Sequence, residues 1–136
     1  MVRREVLSWL REAQADLRRA LRAFEDSDYA LSAFMSQQAC EKAFKAAHLA
    51  FLRKAYPKTH DLTMLYSEVK EHLRLPDDVV ELLPEVSQYY VTARYPSAGL
   101  EVPSESVSRV QALRALEVAK KVVEAVENGV REAGGP

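Results

Sequence analysis

The residues of this chain best equipped for chemistry are the polar run Gln37-Gln38-Ala39-Cys40-Glu41-Lys42-Ala43-Phe44-Lys45, together with His60, Arg53, Arg94 and Tyr95. Imidazole is the side chain best suited to proton transfer at neutral pH, which makes His60 the candidate acid or base. The guanidinium of Arg94 suits bidentate contact with phosphate, and Tyr95, with Tyr89 and Tyr90 upstream, could stack on a base. Each has a plainer reading. His60 between Thr59 and Asp61 could cap a helix, Arg94 could end a helix or pair with Glu41, and the tyrosines could be core or interface. Wound as a helix, residues 29 to 53 put Ala33, Cys40, Phe44, Ala47 and Phe51 on one side. The other side reads Leu31, Phe34, Gln38, Glu41, Lys42, Lys45, Leu49 and Leu52, apolar at both ends and polar in the centre. Gln38, Glu41, Lys42 and Lys45 therefore form either a cluster at a subunit interface or ligand groove, or a solvated stripe tied by a Glu41/Lys45 pair.

These side chains need a scaffold, and the scarcity of turn residues says which. Of four glycines, three (Gly129, Gly134, Gly135) lie at the C-terminal end, so hairpins are disfavoured and helices expected. A first helix is predicted from about Arg3 to Glu25, with Val6, Leu10, Leu17, Leu21 and Phe24 as its stripe, widened by Trp9, Ala13 and Ala20. Glu25-Asp26-Ser27-Asp28 turns the chain and caps a second helix reaching about Lys54, short of Tyr56-Pro57. A third opens at Thr59-His60-Asp61 and runs through Leu73, with Leu62, Leu65, Val69 and Leu73 inward. A fourth spans Asp78 to about Ala93, kinked or divided at Pro84. The last begins near Ser104, carries Val107, Val110, Leu113, Leu116, Val123 and Val126, and ends at Asn128-Gly129. The expected fold is all-α, an up-and-down bundle of about five helices over residues 1–130, with 131–136 a frayed tail.

Composition narrows the function classes. With 136 residues, 48% of them apolar, the chain can bury one core. Nineteen basic against twenty acidic side chains leave a net charge of −1, so any contact with nucleic acid must be local. The single cysteine, Cys40, excludes an internal disulfide and a thiolate zinc cluster, and on the core stripe it reads as a small hydrophobe. No apolar run is long enough to span a bilayer and no signal-peptide core follows the first Met, which points to the cytoplasm. Phosphate-cradling glycine loops, His-Glu-x-x-His and nucleophile-elbow patterns are absent, so neither cofactor nor metal is expected. His48 reads as a packed core residue, and Glu81 and Glu85, an i,i+4 pair, as a wet surface.

Taken in order, Trp9 with Ala13, Asp16-Leu17 and Ala20, the run Gln37 to Lys45, Thr59-His60-Asp61-Leu62, and Ala93-Arg94-Tyr95-Pro96 resemble the HEPN family, the higher eukaryote and prokaryote nucleotide-binding domain. The resemblance covers roughly Ser8 to Val126 and implies a helical bundle, usually dimeric. Many HEPN proteins are metal-independent RNases whose motif is an Arg, four to six residues, then a His, placed near the Arg-Tyr-Pro segment. Here Arg94 is present and no His follows it; Arg53 and His60 match the spacing, in a loop where the motif is not expected. Short one-domain HEPN proteins pair with a separately encoded minimal nucleotidyltransferase, in toxin–antitoxin-like or substrate-binding roles. The resemblance therefore implies a non-catalytic homodimer that binds nucleotide or RNA beside such a partner. The alternatives are an RNase using His60 with Arg94 or Arg53, and a ligand-free oligomeric scaffold.

Overall fold

In the computed structural model, which describes residues 2–93, 102 and 105–134, five α-helices surround one core and no strand occurs among those residues. They are α1 (Val2–Glu25), α2 (Tyr29–Ala47), α3 (Leu62–Val69), α4 (Asp77–Thr92) and α5 (Arg109–Gly134). The tight turn after α1 places Ser27 at a left-handed φ of 59°, and Asp28 caps α2 by accepting a 3.4 Å hydrogen bond from the Leu31 amide. Helix α2 is the central element and packs against all four others. Its small side chains (Ala33, Ala39, Ala43, Ala46, Ala47) are fully buried and let those neighbours approach closely, around the enclosed ring of Phe44.

The predicted second helix changes character before its end. From His48 to Leu52 the chain forms a π-helical turn, and Arg53 closes it in the left-handed region at φ 54°. His48 is wholly buried there, with Nδ1 3.0 Å from the Phe44 carbonyl one turn back and Nε2 3.3 Å from Glu68. Helix α3 is shorter than expected. It starts at Leu62, with Asp61 accepting from the Thr63 and Met64 amides, and stops at Val69. The chain then turns so that Leu73 and Leu75 still reach the core, and the Leu75 amide donates to the Tyr66 hydroxyl. Pro84 does not divide α4, which runs unbroken from Asp77 to Thr92.

Helix α5 departs from expectation at both ends. Ser104 lies outside the described residues, and the helix begins at Arg109 behind a reciprocal cap. Ser108 Oγ accepts from the Gln111 amide at 3.1 Å while Gln111 Oε1 accepts from the Ser108 amide at 2.9 Å. Val110, expected inward, is 56% exposed on that first turn. Asn128-Gly129 does not stop the helix, which continues to Gly134 and so takes in part of the expected tail. A Cβ on Gly129 would sit 3.0 Å from Phe51 Cζ, so glycine serves there as room for an aromatic ring against the helix backbone. Gly129→Leu should therefore lower stability by about 1–3 kcal/mol through overpacking, measurable as a drop in the thermal midpoint.

Candidate functional site

Glu41 is the hub of the polar run. It is 4% exposed, and its carboxylate is enclosed by three side chains, two from α2 itself and one from the loop before α3. Lys45 Nζ donates to Oε2 at 2.8 Å, one helical turn on. Gln37 Nε2 donates to Oε1 at 3.1 Å, and His60 Nδ1 lies 2.8 Å from the same oxygen. Burial alone would raise the Glu41 carboxyl; the hydrogen bonds from Lys45, His60 and Gln37 and the charge on Lys45 outweigh it and hold the group below the usual carboxylate range. The solvated-stripe expectation therefore fails for Glu41: the pair with Lys45 exists, but inside a closed network. An ionised carboxylate can only accept, so the hydrogen on His60 Nδ1 faces Glu41, and Nε2 is the bare nitrogen of the neutral ring.

Two further sets of contacts fix the loop that carries His60. Gln37, wholly buried, also donates to the His60 carbonyl at 3.0 Å and accepts from Gln38 Nε2 at 2.8 Å. Lys45 Nζ stands 5.2 Å from the centre of the Trp9 ring and 5.1 Å from that of Tyr56, and these two rings meet edge to face at 5.4 Å. One ammonium thus ties α1, α2 and the loop together. The His60 ring lies nearly parallel on Tyr90 (3.6 Å between centres, 13° between planes), and Tyr90 in turn packs on Phe34 at 6.1 Å. The His60 side chain nonetheless remains 50% exposed.

The structure brings together Gln38, Glu41, Lys45 and His60 and keeps Lys42 apart. Lys42 turns toward α1, where its Nζ meets Asp16 at 2.6 Å; Asp16 is 1% exposed and also binds Arg19 at 2.6 Å. Arg53 is exposed at the start of the loop, and no hydrogen bond or ion pair joins it to His60 among the described residues. Arg94 and Tyr95 lie outside the described residues. Gln37 and Asp16 were missed as individual participants. Asp16 carried a signal, being an acid between the inward Ala13 and Ala20 on the face that packs against α2.

Elsewhere, Glu85 departs from the wet-surface expectation by forming a two-pronged pair with Arg114 (3.1 Å for each bond) and accepting from the Tyr89 hydroxyl at 3.3 Å. Burial, with the charge and hydrogen bond of Glu85, pushes the Tyr89 phenol up to about 12. The unfolded chain releases that proton near pH 10, so this residue's contribution to stability is complete below pH 10 and is lost as the pH rises to about 12. Tyr89→Phe should flatten the alkaline limb of a stability–pH curve measured by denaturant melts. A groove of about 470 Å³ between the α3–α4 turn and α5, bordered by His72, Arg74, Lys121 and Glu124, shares no residue with the Glu41 network. Among the described residues no group of three or more His, Cys, Asp or Glu side chains could hold a metal, and no helix is long and apolar enough to cross a membrane.

A five-helix bundle with a buried Gln-Gln-x-x-Glu cluster holding a loop histidine defines the class to which comparison then gives a name. The HEPN domain matches residues 6–129, and the chain belongs to that family. Its fold is similar to TT1696 from Thermus thermophilus, with a TM-score of 0.81 and 32% identity over 91% of this chain and 97% of that one. It is also similar in fold to ST0689, an archaeal HEPN homologue, with a TM-score of 0.74 and 24% identity over 93% of this chain and 98% of that one. Comparison with curated proteins gave no match.

Proposed function

We propose that this HEPN protein is a non-catalytic cytoplasmic homodimer that binds nucleotide or RNA and works beside a separately encoded minimal nucleotidyltransferase. The observation that carries the ligand part is the half-exposed His60 ring, fixed on one edge by a buried carboxylate and on one face by Tyr90. A side chain held so firmly yet left open to solvent is organised for a ligand rather than for the core. The pairing with a transferase rests on membership of the HEPN family and on the lack of a histidine between Arg94 and Pro136. Co-expression with the transferase should give one complex that stays together on size exclusion; separate elution would count against the pairing.

A second reading, a metal-independent RNase, is favoured by one geometric fact. The Glu41–His60 contact is that of a carboxylate orienting an imidazole so that its other nitrogen can take a proton. On this reading the purified protein cleaves RNA in EDTA, and His60→Ala abolishes cleavage. Cleavage that persists in the variant would mean a contaminating nuclease.

A further inference from the structure

From the loop between the π turn and α3 we infer that residues 53–60 form a track for an unpaired nucleic-acid strand, phosphates along Arg53, Lys54 and Lys58 and a base on the open face of His60. This rests on the nucleotide- or RNA-binding reading above and goes beyond it by assigning the surface, the residues and the form of the ligand.

The charge argument is local. The segment Arg53-Lys54-Ala55-Tyr56-Pro57-Lys58-Thr59-His60 holds three cations and no acid, in a chain whose net charge is −1. Arg53, Lys54 and Lys58 are all exposed, and none forms an ion pair among the described residues, whereas Asp16, Glu41 and Glu85 each hold theirs. The nearest following acid, Asp61, is committed to the first amides of α3. Among the described residues no ion pair or hydrogen bond uses the three cations, and backbone phosphate is the ligand for which a row of solvated Lys and Arg is suited.

The loop's path is also held, so the three cations leave the backbone at fixed points. It leaves the π turn through the left-handed Arg53, is pinned midway by Tyr56 against Trp9 and Lys45, and is closed by a 3.0 Å bond from the Thr59 amide to the Pro57 carbonyl. At its end Gln37 grips the His60 carbonyl and Glu41 grips the ring. One face of that ring is covered by Tyr90 and the Nδ1 edge is bound, yet half of the side chain is accessible. A cationic path that ends on a planar ring already stacked on a second ring is the arrangement that holds single strands, because every base offers a π face once it is unpaired. A duplex keeps its bases stacked on each other and has none to give.

The test uses the full-length protein and fluorescence-labelled oligonucleotides about 12 nucleotides long, a length within the usual single-strand site range. Anisotropy should show tighter binding of an unpaired strand than of the same sequence as a duplex, whether RNA or DNA; an RNA preference would add a 2′-hydroxyl contact to the same track. The triple variant Arg53→Ser, Lys54→Ser, Lys58→Ser should lower the slope of log affinity against log salt by about 2 if all three cations meet phosphates. His60→Ala should weaken binding roughly 10- to 100-fold, while His60→Phe, which keeps a stacking ring, should stay within a few-fold of the wild type. Equal or tighter duplex binding, or unpaired-strand binding unchanged by both the triple variant and His60→Ala, would overturn the track. A protein that forms the transferase complex but holds no strand loses the track alone; one that holds a strand and forms no complex loses the pairing alone.

Discussion

Replacing Glu41 with alanine should cost about 3 kcal/mol of folding free energy, because it leaves Gln37, Lys45 and the inner edge of His60 facing one another without their common acceptor. The figure sits at the low end for a broken buried pair, since Lys45 and His60 can partly turn to water (14% and 50% exposed). Glu41→Gln separates charge from shape. The folded protein holds this carboxyl below its ordinary value of 4.5, so the stability it contributes is complete above about pH 4.5 and is lost as the pH falls through the lower, folded value. Denaturant melts across the acid range should therefore show a gap between the wild type and Glu41→Gln at neutral pH that closes under acid. A gap of constant size would mean that the carboxylate's charge is not what the network uses.

The second large effect belongs to the core beside it. Phe44 is fully buried, lies on α2 one turn from Cys40 and just before the π turn that opens at His48, and packs at 5.9 Å on the ring of Tyr66 from α3. Phe44→Ala should cost about 3–5 kcal/mol, the lost transfer of the ring plus the cavity that the close-packed alanines of α2 cannot collapse to fill. The midpoint of chemical denaturation should fall while its slope stays unchanged, as expected when folded and unfolded states keep their exposed areas. The two substitutions separate the roles of α2. Glu41→Ala should loosen the 53–61 loop, raising its amide exchange specifically, whereas Phe44→Ala should lower protection across the whole bundle.

Comparing these elements with the bare sequence shows which kinds of information a chain carries openly. The helical class, the polar break in α2 and the burial of Leu62, Leu65, Val69 and Leu73 follow from periodicity, which is local. The environment of Glu41 is not local. Its exposure is set by His60, nineteen positions away, and by a loop whose path depends on Trp9 and Tyr56. Lys42 illustrates the same limit: it shares the polar run with Glu41, yet a buried acid on α1 draws it away. Other departures were legible in principle. Ser108 and Gln111 have the spacing of a reciprocal cap, although Ser104-Glu105 competes with them for the same role. In the sequence Gly129 reads as a stop because glycine ends helices more often than it makes room for a ring; only the position of Phe51 distinguishes the two.

These contacts also show how the core positions the loop histidine that we propose meets a ligand. Glu41 and Gln37 belong to the helix that every other element packs against, so the loop takes its geometry from the most constrained part of the molecule. The cation of Lys45 balances the buried carboxylate and, through Trp9 and Tyr56, carries that constraint to the loop's midpoint.

The tautomer of His60 tests this account most directly. In a long-range proton–nitrogen NMR spectrum of the imidazoles, the neutral His60 ring should carry its hydrogen on Nδ1 and leave Nε2 bare, and Glu41→Gln should shift both nitrogens. A ring that is protonated on Nε2, or that averages freely between tautomers and ignores the substitution, would contradict the claim that Glu41 holds it.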